Sequence, residues 1–169
     1  MQIQTPAIID VEASGFGAGS YPIEIGFVLP DGQCFCSLIR PAPEWKHWNA
    51  QAARIHGIPR ELLFERGKPV GEVAAILNDK LLGLTVYSDG WAHDYTWLSV
   101  LFDEAKRIPS FRLEHLARIL GENEANRWNI VRKQVEQDLC LSRHRASNDA
   151  KVLQTTWRRI HDPLNLAAA

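Results

Sequence analysis

Ala7-Ile8-Ile9-Asp10-Val11-Glu12-Ala13-Ser14-Gly15-Phe16 is an apolar run that ends in two acids one residue apart, followed by a turn. Side chains alternate along a strand, so Asp10 and Glu12 project from one face. Two carboxylates about 4 Å apart repel by roughly 4 kcal/mol at an effective dielectric near 20. Such a pair at the end of a core strand calls for a proton, a basic partner or a cation. The plainer alternative is a solvated strand end.

Beyond this strand, residues 21–29 alternate with Ile23, Ile25, Phe27 and Leu29 on one face, which predicts a second strand. Pro30-Asp31-Gly32-Gln33 signals a turn and residues 34–39 a third strand, giving a hairpin. Short helices are expected over 49–55, ending at Gly57, and from Pro59. Pro69 opens a clearer helix with Val70, Val73, Ala74, Leu77 and Leu81 at helical spacing, stopped by Gly83. A short strand over 84–88 precedes a helix from Ala92 or His93 to about Arg107. A strand or turn near Phe111, a helical patch ending at Gly121, and helices over 122–139 and 146–161 complete the chain, with Pro163 after the last. Three strands followed by alternating helices and strands predict an α/β protein with helices packed on a mixed sheet.

With 169 residues, 1–165 are expected to form a single domain, and 166–169 a disordered tail or expression scar. Nineteen basic residues against 20 acidic give a net charge of −1, which argues against a protein that coats duplexes non-specifically. A local cleft for a few nucleotides remains compatible with that balance. Cys34, Cys36 and Cys140 make no disulfide framework, and Cys34 and Cys36 are expected as buried thiols on one strand face. No third or fourth soft ligand stands near them for zinc. The first residues lack a basic segment followed by an apolar one, and no apolar run approaches membrane-spanning length. A cytoplasmic location away from membranes is the expectation.

Two further acids occupy unusual positions. Asp94 leads Trp97, Leu98, Leu101, Phe102 and Ala105 at offsets of about 3, 4, 7, 8 and 11, so it heads an apolar stripe rather than a solvent face. Asp149 does the same for Val152, Leu153, Thr156, Trp157 and Ile160. Helix N-termini stabilise carboxylates on their own, which is the simpler account of either acid. Together with Asp10 and Glu12 they suggest a four-carboxylate centre for hard divalent cations, magnesium or manganese. Two such ions can hold the attacking and leaving oxygens of a phosphate ester in line. His144 lies about 140° from Asp149 on an ideal helix, so only a loop ahead of the helix brings it over the site as a general base. Otherwise it is a surface histidine between Arg143 and Arg145.

Asp10-Val11-Glu12-Ala13-Ser14-Gly15, Asp94 at the head of its helix, and His144-Arg145-Ala146-Ser147-Asn148-Asp149-Ala150 resemble the three exonuclease motifs of the DnaQ-like superfamily. The His-X-Ala-X-X-Asp-Ala ending is similar to that of the DEDDh subgroup, which includes proofreading exonucleases, ribonuclease T and oligoribonuclease. Ile23-Glu24-Ile25-Gly26 and Ile55-His56-Gly57-Ile58 match the family's connecting segments, and the resemblance runs from about residue 6 to 162. It implies a ribonuclease H-like fold, a mixed five-stranded sheet flanked by helices, and 3′→5′ removal of nucleotides with two magnesium or manganese ions. Asp10, Glu12 and Asp149 would hold the first metal, Asp10 would bridge to the second with help from Asp94, and His144 would be the base. Ala13 stands where a larger residue is common, and Asp89-Gly90 replaces a frequent His-Asn.

Expected substrate contacts are Ala13 and Gly15 in the loop after Glu12, Phe16 as a stacking ring or wedge (or else a core plug), and His56. Trp91 and Tyr95 flank Asp94, and Arg143 and Arg145 are candidate phosphate contacts, a solvated basic loop being the plainer account of at least one; Arg127, Arg132, Lys133, Arg158 and Arg159 would extend a basic rim. The partners expected are 3′ ends of single-stranded DNA or RNA, with a homodimer or a polymerase-associated subunit as further options. Two readings compete with an exonuclease. A non-catalytic docking module should lack an acid or the histidine, and none is missing; internal cutting sits poorly with the histidine-bearing last motif.

Overall fold

The computed structural model describes residues 4–161. Its five strands are β1 (Ala7–Ala13), β2 (Pro22–Val28), β3 (Cys34–Leu38), β4 (Thr85–Ser88) and β5 (Arg112–His115). They form one sheet in the order β3-β2-β1-β4-β5. The hairpin partners β1, β2 and β3 run antiparallel, whereas β4 and β5 join β1 in parallel through helical crossovers. The fold class is the mixed five-stranded α/β sheet expected.

The helices are α1 (Ala50–His56), α2 (Arg60–Arg66), α3 (Val70–Lys80), α4 (Trp91–Glu104), α5 (Glu122–Leu139) and α6 (Ala146–His161), with a 3-10 turn over Leu116–Ile119. Gly57 caps α1 in the left-handed region, and Pro59 and Pro69 stand at the N-caps of α2 and α3. The expected Pro163 stop and the 166–169 tail lie outside the described residues.

Alternation along β1 divides the core in two. Ile9 and Val11 face a layer that includes Ile23, Ile25, Phe27, Leu77 and Leu101. Ile8 faces the opposite layer with Val28, Trp128, Val135, Leu153 and Trp157, which belong to β2, α5 and α6. Asp10 and Glu12 share the parity of Ile8, so both acids lie on the α6 side, where Gly26 and Glu24 stand opposite them on β2.

Gly26 explains how closely α6 approaches. A Cβ at that position would lie 2.2 Å from the Ser147 nitrogen and 2.5 Å from the Ala146 carbonyl carbon. The first turn of α6 therefore rests directly on the β2 backbone. Cys34 and Cys36 correct the expectation of buried thiols: both are exposed. They sit on β3, an edge strand with one neighbour.

Candidate active site

The C-terminal end of β1 opens into a cavity of about 360 Å³ whose wall includes Asp10, Glu12, Asp94, Asp149 and His144. The first two are presented by β1, and the two aspartates by the first turns of α4 and α6. Asp94 is buried and accepts a short hydrogen bond from Ser88 Oγ at the end of β4. The loop ahead of α6 folds back as required: His144 has φ of 58°, and its backbone N–H donates to Asp149 Oδ2 at 2.9 Å. Ligand-capable atoms of Glu12, His144 and Asp149 all lie within 4.8 Å of one another.

The electrostatics follow from burial and crowding. Asp10 is pushed well above the usual carboxylate range by burial first, then by Asp94, Glu12, Asp149 and Asp89. Burial, with Asp149, Glu24 and Asp94 adding, raises Glu12 to about 7 against the pull of Arg145. Burial likewise raises Asp94 to about 7, despite the Ser88 hydrogen bond. Asp149 rises less freely, because the His144 amide and nearby positive charge oppose burial. Among the described residues no lysine or arginine forms an ion pair with any of the four acids. No cysteine lines the cavity. Four carboxylates without an ion-pair partner are an oxygen donor set that fits hard divalent cations.

A buried ion pair, which sequence reasoning missed, holds this arrangement. Glu24, 0% exposed, receives Arg145 Nε at 3.0 Å and Nη2 at 2.6 Å on Oε1, and Nε again at 3.1 Å on Oε2. Its Oε2 also accepts the Ala146 backbone N–H at 2.9 Å, satisfying a free donor at the start of α6. The available signal was an acid in the middle of an otherwise apolar strand. On the other side, the Asn49 N–H donates to the Ser14 carbonyl at 2.8 Å, pinning α1 to the loop after β1. Gly15, with φ of 139°, permits this closure, since a Cβ there would meet Asn49 Cβ at 2.6 Å.

Ala13, Gly15, Phe16 and His56 line the cavity as expected of substrate contacts. Phe16 is 65% exposed, which removes the core-plug alternative, and its ring centroid lies 4.9 Å from His93 and 5.7 Å from Trp97. His56 Nδ1 accepts the Ile58 N–H at 3.0 Å, so the neutral ring carries its proton on Nε2. That atom is buried without a partner, and burial lowers the ring's pKa. His56 thus carries an uncharged N–H donor that no acceptor among the described residues uses.

Trp91, Tyr95 and Arg145 do not line the cavity. Trp91 packs on Tyr95 and donates from Nε1 to the Leu113 carbonyl, and Arg145 is engaged by Glu24. At about 100° per residue, Trp91 and Tyr95 lie about 60° and 100° to one side of Asp94, whereas Trp97 and His93 lie equally far to the other. The cavity opens on the His93 and Trp97 side. Arg143, a candidate phosphate contact, and Arg132, expected on a basic rim, do reach it, as does Ile55, which was not singled out.

This sheet order, with helices on both faces, is the ribonuclease H-like fold that solved exonuclease structures share. Among solved structures the chain is similar to exonuclease I from Methylocaldum szegediense, at 14% identity and a TM-score of 0.65, covering 94% of this chain and 41% of that one. It is similar also to E. coli exonuclease I in complex with a dA16 oligonucleotide, at 12% identity and a TM-score of 0.68, covering 93% and 41%. A zinc-bound form of the E. coli exonuclease I–ssDNA complex matches with the same identity, TM-score and coverage. The chain thus spans about two fifths of the length of these proteins, and identities this low establish the fold alone. No family model and no curated protein matches the sequence. Among the described residues no helix is long and apolar enough to cross a membrane.

Proposed function

We propose that residues 1–165 form one exonuclease unit that removes nucleotides in the 3′→5′ direction from single-stranded nucleic-acid ends, using two divalent cations, magnesium or manganese. The observation that carries this reading is the convergence of Asp10, Glu12, Asp94, Asp149 and His144 on one cavity, with an exposed aromatic ring at its wall. Asp10, Glu12, Asp94 and Asp149, which share the cavity wall, would hold the cations. When bound, the cations supply charge neutralisation at the attacking and leaving oxygens of the phosphodiester. His144, anchored through its own amide to Asp149, takes the proton from the attacking water. Phe16, edge-on to His93 and tilted against Trp97, offers a surface for the terminal base, and Ala13, Gly15 and His56 form the wall around the sugar. Solved neighbours hold single-stranded oligonucleotides, which supports a single-stranded substrate here.

The test is digestion of matched linear RNA and DNA oligonucleotides with manganese, alongside a circular single strand. Stepwise release of mononucleotides from the linear substrates, stopped by chelation and by Asp10→Ala, with the circle untouched, is the expected outcome. Both linear substrates remaining intact, or the circle being cut, overturns the reading.

A further inference from the structure

Asp89 is where the chain departs from the His-Asn pattern of the family it resembles, and it is a fifth acid on the cavity wall. Its Oδ2 accepts Arg132 Nη1 at 2.7 Å, which ties the end of β4 to α5. Arg132 Nε donates to Glu136 Oε1 at 3.1 Å, one helical turn further along α5. The guanidinium also lines the cavity and lies near enough to Asp149 to lower its pKa. A guanidinium has five N–H groups in a planar fork. The Asp89 and Glu136 bonds use Nη1 and Nε, and among the described residues Nη2 has no acceptor. Arg143, the other arginine at the cavity, has no acidic partner among the described residues to hold its side chain in place.

A cation held on two sides, with its remaining donors free beside an acidic centre, is preorganised for an anion that arrives together with divalent ions. We propose that Arg132, steadied by Asp89 and Glu136, binds a phosphate of the nucleic-acid strand as it enters the cavity. This inference rests on the exonuclease reading above. Asp89 is then a positioning residue: it fixes which way the fork faces and touches no substrate itself.

Initial rates of mononucleotide release from a single-stranded oligonucleotide, with manganese and at a series of potassium chloride concentrations, test the assignment. In Arg132→Gln, KM should rise about tenfold with kcat within about threefold, as for a contact worth the same in ground and transition states. The plot of log kcat/KM against log salt should become shallower by about 0.7, the effect of losing one phosphate contact on a single strand. Arg132→Lys keeps the charge but not the fork, so it should retain the salt slope with a raised KM. Glu136→Gln removes a support but no phosphate contact and should leave the slope unchanged, whatever it does to the melting temperature. A wild-type slope in Arg132→Gln overturns the assignment while the exonuclease reading stands. If Arg132→Gln does not fold, loss of the slope in Arg132→Lys overturns it instead. Wild-type protein that releases no nucleotide overturns both.

Discussion

Glu24 and Arg145, 121 positions apart in the chain, meet in a forked ion pair at the point where α6 begins. The carboxylate is wholly buried, while the guanidinium stays partly in solvent. The pair joins the hairpin that faces Glu12 to the helix that carries Asp149. Arg145→Ala leaves Glu24 buried and unpaired, at a cost of about 2–4 kcal/mol. At about 2–4 °C per kcal/mol for a domain of this size, thermal melting should drop by roughly 5–15 °C. An unchanged melting temperature would deny the pair its anchoring role.

Gly26→Ala should be damaging for a steric reason, because the new methyl carbon would stand 2.2 Å from a backbone nitrogen of α6. We expect a loss of about 1–3 kcal/mol, typical of overpacking, and weaker manganese binding as Asp149 is displaced. Gly71→Ala in α3 is the control, since nothing lies within 4 Å of its added carbon. It should be neutral or stabilising by up to about 1 kcal/mol. Calorimetric melting of the two variants side by side gives the comparison, and equal effects would contradict it.

Asp10→Asn should stabilise the metal-free protein, because it removes one of four crowded carboxylates. Burial and like charge raise the folded-state pKa values of Asp10, Glu12 and Asp94 above ordinary carboxylate values, the last two to about 7. Between the ordinary range and about 7 the folded protein holds protons that the unfolded chain has released, so these groups oppose folding increasingly as pH rises. In EDTA the variant should exceed wild type by about 1–2 kcal/mol at pH 7.5, with the gap closing toward pH 5. Melting curves across that range check it; a gap that widens on acidification has the wrong sign.

Adding manganese should reverse that ranking. At pH 7.5, wild-type protein should melt several degrees higher at saturating metal, with a gain of about 2.7 kcal/mol at a hundredfold excess over the dissociation constant. The Asp10→Asn gain should be smaller. Equal shifts in both proteins would mean that the metal binds elsewhere.

Phe16→Ala removes an exposed ring, so stability should change by less than about 0.5 kcal/mol. Affinity for a single-stranded oligonucleotide should fall about tenfold, within the ~1–3 kcal/mol of one base stacked on an aromatic ring. Fluorescence anisotropy reads this directly, and undiminished binding would place the base elsewhere.

Much of the fold was legible because its strongest signals are periodic and capped. The predicted bounds of the last two helices coincide with those observed, since Gly121 marks the start of α5 and apolar spacing defines α6. β5 was ambiguous because Arg-Leu-Glu-His on a sheet edge has no buried alternation to reveal it. The four acids and His144 were visible as residues in improbable positions. The substrate wall was harder: the flank of Asp94 that meets the cavity depends on how α4 is rotated against the sheet, and spacing alone does not set that phase. Arg145 looked free for phosphate because its partner lies more than a hundred residues earlier.

The contact at Gly26 separates two duties that the third motif combines. Asp149 takes its place from a helix seated on a strand, whereas His144 hangs on the preceding loop, joined to the acid by one amide hydrogen bond. Lengthening or stiffening residues 140–143 would therefore shift the imidazole while the carboxylates stay where they are. On the exonuclease reading, the base is thus adjustable separately from the acids.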